Sequence, residues 1–371
     1  MTPVVGLIVN PIAGMGGRVG LKGSDGDALR CAVELGAKPE APDRARRLVS
    51  AMLPNANRIR FLTCGASMGA DAFDCRRGDV SIIVDCPASD TSRVDTMRAA
   101  SVMAGHGVDL LLFVGGYGTA RDVCEAVGDS VTTLGVPAGV KMHSAVFATT
   151  PQASAELAGR FLGGWAPRTR DGEVMDIDED DYRAGRLSAR LFGYLRVPSD
   201  ERFVQGAKAC SSVAEAVAAA DIAEATVEHM EPCVAYILGP GTTTRAIAER
   251  LGVAKTLIGV DVVKDGKLLA QDVGEEELVD LASEIPARIV VAVVGGQGYL
   301  FGRGNQQMSP RVIGLVGRDR ILVVATEAKI AALRGRPLLV DTGDEKTDAM
   351  LSGYLKVNTG RGRSTPYRVE A

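Results

Sequence analysis

Residues 110–122, Leu-Leu-Leu-Phe-Val-Gly-Gly-Tyr-Gly-Thr-Ala-Arg-Asp, constrain this chain more than any other stretch. Leu110 to Val114 run without polar interruption, the pattern of a strand buried on both faces of a parallel sheet. Gly115, Gly116 and Gly118 then permit a tight turn, and Ala120 to Ala126 can form a helix. Strand, glycine turn and helix start, in that order, put main-chain N–H groups where they can grip a phosphate. Thr119 adds a hydroxyl, and Arg121 a guanidinium suited to bidentate anion recognition. Asp122 could hold Mg²⁺, take a proton, or simply favour the helix N-terminus by its charge. A turn that only closes strand onto helix has the same composition.

The same punctuation occurs earlier. Val4 to Val9 reads as a strand that runs into Asn10-Pro11-Ile12-Ala13-Gly14-Met15-Gly16-Gly17. Asn10 can donate and accept at the strand end, and Gly14, Gly16 and Gly17 permit close backbone approach to a ligand. Lys22, Ser24 and Asp25 could reach the same ligand or form an exposed turn. Between the two loops, helices are expected over 42–53 and from Thr91 to Gly105, with strands over 58–63 and 81–84. The alternation predicts a doubly wound α/β domain with its ligand at the carboxyl ends of the strands. Neither a Gly-x-Gly-x-x-Gly unit nor a Walker loop is present, which disfavours a dehydrogenase or a P-loop enzyme.

A chain of 371 residues predicts two domains. We place an α/β nucleotide-binding domain over 1–150, a β-rich second domain over 151–310, and a C-terminal segment, 311–371, that returns to the first. The break follows the polar, acidic stretch from Trp165 to Asp181; Pro151 to Leu162 reads as a helix. Strands are expected near 173–178, 193–197, 234–238, 257–262 and 289–294, and helices over 213–219 and 221–229. Lys264-Asp265-Gly266-Lys267 reads as a hairpin turn, and 321–333 as a last strand and helix. Gly239-Pro240-Gly241-Thr242-Thr243-Thr244 is a third strand-to-helix junction; its hydroxyls suit ribose or phosphate oxygens, although one is needed as a cap. Lys141 offers a cation to a transferring phosphoryl group, and His143 a proton carrier near neutral pH. Asp261, just after a strand, is a further carboxylate for base or metal duty, with Asp176 and Asp178 behind it. Asn305, Gln306 and Gln307 could hydrogen-bond a base or a sugar.

A net charge of −4 argues against nucleic acid or an anionic membrane as partner. The seven cysteines include no Cys-x-x-Cys pair, and no apolar run approaches a membrane span. Reduced thiols and a cytoplasmic location are expected.

The stretch 115–119 resembles the Gly-Gly-Asp-Gly-Thr loop of the NAD kinase and diacylglycerol kinase superfamily. With Ala120-Arg121-Asp122 it looks like the ATP-NAD kinase-like or AcoX-like branch. Asn10-Pro11 with Gly14 resembles the Asn-Pro-x-x-Gly segment of the diacylglycerol kinase group, and the similarity extends to Val340-Asp341-Thr342-Gly343. The resemblance implies a Rossmann-like N-terminal domain and a β-rich second domain. It implies ATP, or polyphosphate, as donor, Mg²⁺ as metal, and a hydroxyl of NAD or a small alcohol as acceptor. It also implies that Asn10 and Thr242 to Thr244 position nucleotide or acceptor, that 137–144 lies beside the acceptor, and that the protein is a homodimer. One position departs from the pattern: the loop aspartate, thought to activate the acceptor hydroxyl, is Tyr117. A phenol titrates near 10 and is a poor base at neutral pH. Asp122 or Asp261 could take over, or the chain is an inactivated or substituted version, or it is a nucleotide-binding or sensor protein in which Tyr117 could stack on a base.

Overall fold

A computed structural model describes residues 2–371 apart from 18, 22–26, 53–58, 74–78, 87–90, 139–143, 165–167, 178–188, 200–212, 257 and 294–297. The first sheet is five-stranded and parallel, in the order β3-β2-β1-β4-β5. Its strands are β1 (Val4–Val9), β2 (Arg60–Cys64), β3 (Asp79–Val84), β4 (Leu110–Gly115) and β5 (Thr133–Pro137). Helices α1 (Asp27–Glu34), α2 (Ala41–Met52), α3 (Arg93–Gly105) and α4 (Tyr117–Val127) connect them. The unbroken apolar run of β4 follows from its two covered faces. Leu110, Leu112 and Val114 pack with Leu48 and Val49 of α2, while Leu111 and Phe113 pack with Met103 of α3 and Val123 of α4. In β1, Val5, Leu7 and Val9 join the α2 side and Ile8 the other, the two-residue alternation of a strand.

The first domain extends beyond the expected break at residue 150. Helix α5 (Pro151–Leu162) buries Leu157 and Ala158 in the same cluster as α2. The antiparallel hairpin of β6 (Thr169–Ile177) and β7 (Ala189–Pro198) places Val174, Leu195 and Val197 in the cluster beneath α3 and α4. The acidic stretch therefore belongs in part to strand β6 of a first-domain hairpin. Its residues 178–181 lie outside the described residues.

The second domain opens with one continuous helix, α6 (Val213–Glu228), where two were expected. Its sheet has nine strands in the order β10-β9-β8-β11-β13-β15-β16-β14-β12. They are β8 (Ala235–Leu238), β9 (Asp261–Lys264), β10 (Lys267–Ala270), β11 (Ala287–Ala292), β12 (Tyr299–Phe301), β13 (Ile321–Val324), β14 (Leu338–Val340), β15 (Gly353–Gly360) and β16 (Arg363–Glu370). Strands β8, β11 and β13 are parallel, and the turn between β9 and β10 has Asp265 at φ 50° and Gly266 at φ 73°, as a two-residue hairpin requires. Helices α7 (Thr242–Leu251), α8 (Glu275–Glu284), α9 (Pro310–Val316), α10 (Glu327–Ala332) and α11 (Glu345–Leu351) flank it.

Residues 311–371 are thus part of the second sheet, and 321–333 is not its last strand-helix unit. They reach the first domain through residues 341–343. Asp341 pairs with Arg44 of α2, and Arg47 donates to the Gly343 carbonyl. Arg303, after β12, donates to the Thr149 carbonyl ahead of α5 and lies 3.5 Å from Asp341 and 5.1 Å from the Tyr299 ring centroid. Burial pushes the Tyr299 phenol up to about 12. No helix among the described residues is long and apolar enough to cross a membrane.

Candidate functional site

Strand order reverses between β1 and β4, the place where open α/β sheets bind ligands. Val9 pairs with Val114 and Gly115 with Pro137, so the three strands end level. The loop after β1 and the turn after β4 therefore start side by side. Asn10 fastens them: its N–H donates to the Val114 carbonyl at 2.9 Å and its Nδ2 to Thr119 Oγ1 at 2.9 Å. Thr119 Oγ1 also accepts from Gly116 N at 3.4 Å and is buried, so this hydroxyl joins two loops instead of facing the cleft. Gly115 is dictated by that packing, since a Cβ there would lie 2.3 Å from Thr119 Oγ1.

Helix α4 begins at Tyr117, with Gly116 as N-cap and Gly118 in the first turn. Amides in a first turn have no partner within their helix and point toward the sheet edge where the ligand is expected. Gly14 sits at φ 84°, and a Cβ on it would lie 1.8 Å from the Ala138 carbonyl; only glycine lets this loop close onto the end of β5. Gly16 accepts from Leu21 N at 2.9 Å and Gly17 donates to Gly14 O at 3.4 Å, which winds the loop into successive turns. Lys141 and His143 lie outside the described residues, as do Lys22, Ser24 and Asp25.

The second domain meets this edge through residues 302–309. The Gln306 carboxamide lies 3.1 Å from where a Cβ of Gly17 would be, and Met308 Cε 2.9 Å from that of Gly239. The loop after β1 and the junction after β8 are thus held on either side of one short segment. At that junction the three threonines divide. Thr244 donates to the Gly239 carbonyl at 2.6 Å, and Thr243 accepts from Lys329 Nζ at 2.9 Å; both are buried. Thr242 alone of the three is exposed. Gly241, not a threonine, is the N-cap, at φ 123°.

The carboxylates expected to replace the missing loop aspartate are engaged. Asp261 is fully buried. It accepts from Lys255 Nζ at 3.0 Å, Thr256 N at 2.9 Å, Thr256 Oγ1 at 2.9 Å and Asp272 N at 2.7 Å. These bonds make it a structural anion of the second domain. Asp122 stands in the second turn of α4, past the reach of a helix-terminus effect, and its Oδ1 accepts from Arg93 Nε at 3.1 Å. Burial raises its pKa above the ordinary carboxylate value, and Arg93 works against that shift. Tyr117 is partly buried and packs on the apolar cluster beneath α3 and α4. Arg121 is half-buried on α4. Among the described residues no group of three acidic, His or Cys side chains is placed to hold a metal ion.

A Rossmann-like domain joined to a β-rich domain, with glycine loops of both meeting across one segment, is a two-domain α/β nucleotide-type architecture. Two family models assign it. The ATP-NAD kinase N-terminal domain matches residues 5–165, and the ATP-NAD kinase C-terminal domain matches residues 233–369. The chain belongs to the ATP-NAD kinase family. No curated protein and no solved structure matches it.

Proposed function

We propose that this protein is a phosphotransferase that moves a phosphoryl group from ATP, or polyphosphate, to a hydroxyl of NAD or of a small alcohol. The observation that carries the reading is the Asn10 to Thr119 bond, which brings the loop after β1 and the turn before α4 into one place at the strand-order reversal. First-turn amides of α4 and the backbone at Gly14, Gly16 and Gly17 would receive the donor's phosphates, with Arg121 as the nearby cation. Thr242 would face the acceptor, and Lys141 would supply a cation to the transferring group. Catalysis of this kind is positioning and charge stabilisation. Mg²⁺ commonly rides on the nucleotide's own phosphates with most of its waters retained. The described residues offer no acidic cage for it.

A second reading, a nucleotide-binding protein without transfer, is favoured by the engagement of Asp122 and Asp261 and by Tyr117. An assay for ADP release with NAD and a panel of alcohols separates the two. Turnover with at least one acceptor is expected, rising in Tyr117→Asp. Nucleotide binding with no turnover in either protein would reject the phosphotransferase and leave the binding protein.

A further inference from the structure

Asn305, Gln306 and Gln307 follow β12 in a row, and the fold separates their roles. Asn305 commits both ends of its carboxamide to the chain: Oδ1 accepts from Gly302 N at 3.0 Å and Nδ2 donates to the Leu300 carbonyl at 2.7 Å. Its own carbonyl accepts from Met308 N at 3.0 Å, closing a turn with Gln306 and Gln307 between. Met308, the end of that turn, is lodged against Gly239. Gln306 is therefore presented by a braced turn, with its carboxamide over Gly17. It is 9 % exposed, and its Nε2 is buried with no acceptor among the described residues. A buried donor left unpaired destabilises a protein more than a made hydrogen bond stabilises it, so such groups are few and call for an explanation.

We propose that Gln306 is a ligand-reading residue of the cleft, whose Nε2 donates to a phosphate oxygen of a nucleotide seated on the loop after β1. The inference rests on the nucleotide reading above. Phosphate is the favoured acceptor because Gly17, which Gln306 covers, belongs to the loop that Asn10 ties to the N-terminus of α4, where anions are favoured. The donor comes from the second domain and the loop from the first, so the bond joins the two domains through the ligand.

The test uses the full chain and its Gln306→Met and Gln306→Glu variants. Titration calorimetry with ADP, pyrophosphate and adenosine is combined with thermal melting with and without each. Met keeps the length of the side chain and removes the donor. Gln306→Met should bind ADP and pyrophosphate about ten-fold more weakly, the worth of one charge-assisted hydrogen bond. It should bind adenosine unchanged, and melt at the same or a higher temperature when empty. Gln306→Glu should weaken ADP further, because a carboxylate then faces the phosphate. A Gln306→Met variant that melts lower when empty, yet binds ADP as wild type does, would make Gln306 a structural amide and overturn the proposal. An equal loss for adenosine would move the donor to the sugar or base and overturn the phosphate assignment. If the wild type binds none of the three probes, the nucleotide reading itself fails and this proposal with it.

Discussion

Cutting the Asn10 to Thr119 hydrogen bond should loosen two loops at once. Asn10→Ala removes two side-chain bonds, the one to Thr119 at 2.9 Å and the one its Oδ1 accepts from Ile12 N at 3.3 Å. At about 1 kcal/mol for each, a loss of about 2 kcal/mol is expected. Thr119→Val keeps the shape of a buried side chain but leaves Asn10 Nδ2 and Gly116 N–H without their acceptor, again about 2 kcal/mol. The shared bond is counted in both single variants, so the double variant should lose about 3 kcal/mol, a coupling of about 1 kcal/mol. Urea denaturation followed by far-ultraviolet circular dichroism measures the four proteins, provided they share one slope against denaturant. ADP titration of the same set should show weaker binding in every variant. Losses that add to within about 0.3 kcal/mol, with ADP affinity unchanged, would mean that the loops are independent and that the site is not built on this contact.

Three further outcomes are expected. Asp261→Asn should destabilise the second domain by about 3–5 kcal/mol in denaturant unfolding, because it strands the buried Lys255 ammonium; native stability with abolished turnover would instead make Asp261 catalytic. Asp341→Asn should cost a similar 3–5 kcal/mol, since Arg44 is buried on it and Arg303 lies beside it; a fall in melting midpoint no larger than that of a surface substitution would refute the domain clasp. The Asp122 pKa is raised in the folded chain, so the folded state holds this proton at pH values where the unfolded chain has released it. Its contribution to stability is present at low pH and is lost as pH rises above the ordinary carboxylate value of 3.8 through the raised one. Stability profiles of wild type and Asp122→Asn should therefore differ in slope in that window, and parallel profiles would contradict the burial.

The first domain was legible because its signals are local. The apolar runs of β1 and β4, the glycines at 115–116 and the glycine-rich stretch that begins at Gly14 are properties of short windows, and so is the α3 cap, in which Ser92 N donates to Asp95 Oδ2 at 2.9 Å. The domain boundary was not legible, because it depends on which surface the hairpin of β6 and β7 covers, and that appears only in the packing of Val174, Leu195 and Val197 and in bonds such as Thr133 Oγ1 to the Arg196 carbonyl. Strands β15 and β16 are missing from the sequence reading for a related reason. They pair antiparallel with one face exposed, and a sequence such as Arg-Ser-Thr-Pro-Tyr-Arg carries little apolar periodicity. The clasp of Arg44 on Asp341 joins residues 297 apart, beyond any window.

The functional residues split along the same line. Glycines announce a loop whatever its partner, so Gly14 and Gly115 stand out in the sequence, yet what each makes room for, the Ala138 carbonyl and the Thr119 side chain, appears only in the fold. Carboxylates and hydroxyls mislead more easily, because their availability depends on neighbours. Asp261, Thr243 and Thr244 read as free ligating groups and prove to be committed to the protein itself. Gln306 is the reverse case, one of three similar amides in the sequence but the one with a buried donor that has no partner among the described residues. Residue 117 bears on how binding and transfer would separate under the proposed function. The contacts that shape the site, Asn10 to Thr119, Gly14 to Ala138 and Gln306 to Gly17, make no use of the residue 117 side chain. A tyrosine stands in the first turn of α4 with all three contacts intact. On the proposed reading, what the tyrosine leaves out of the loop is the carboxylate that would serve as base for an acceptor hydroxyl.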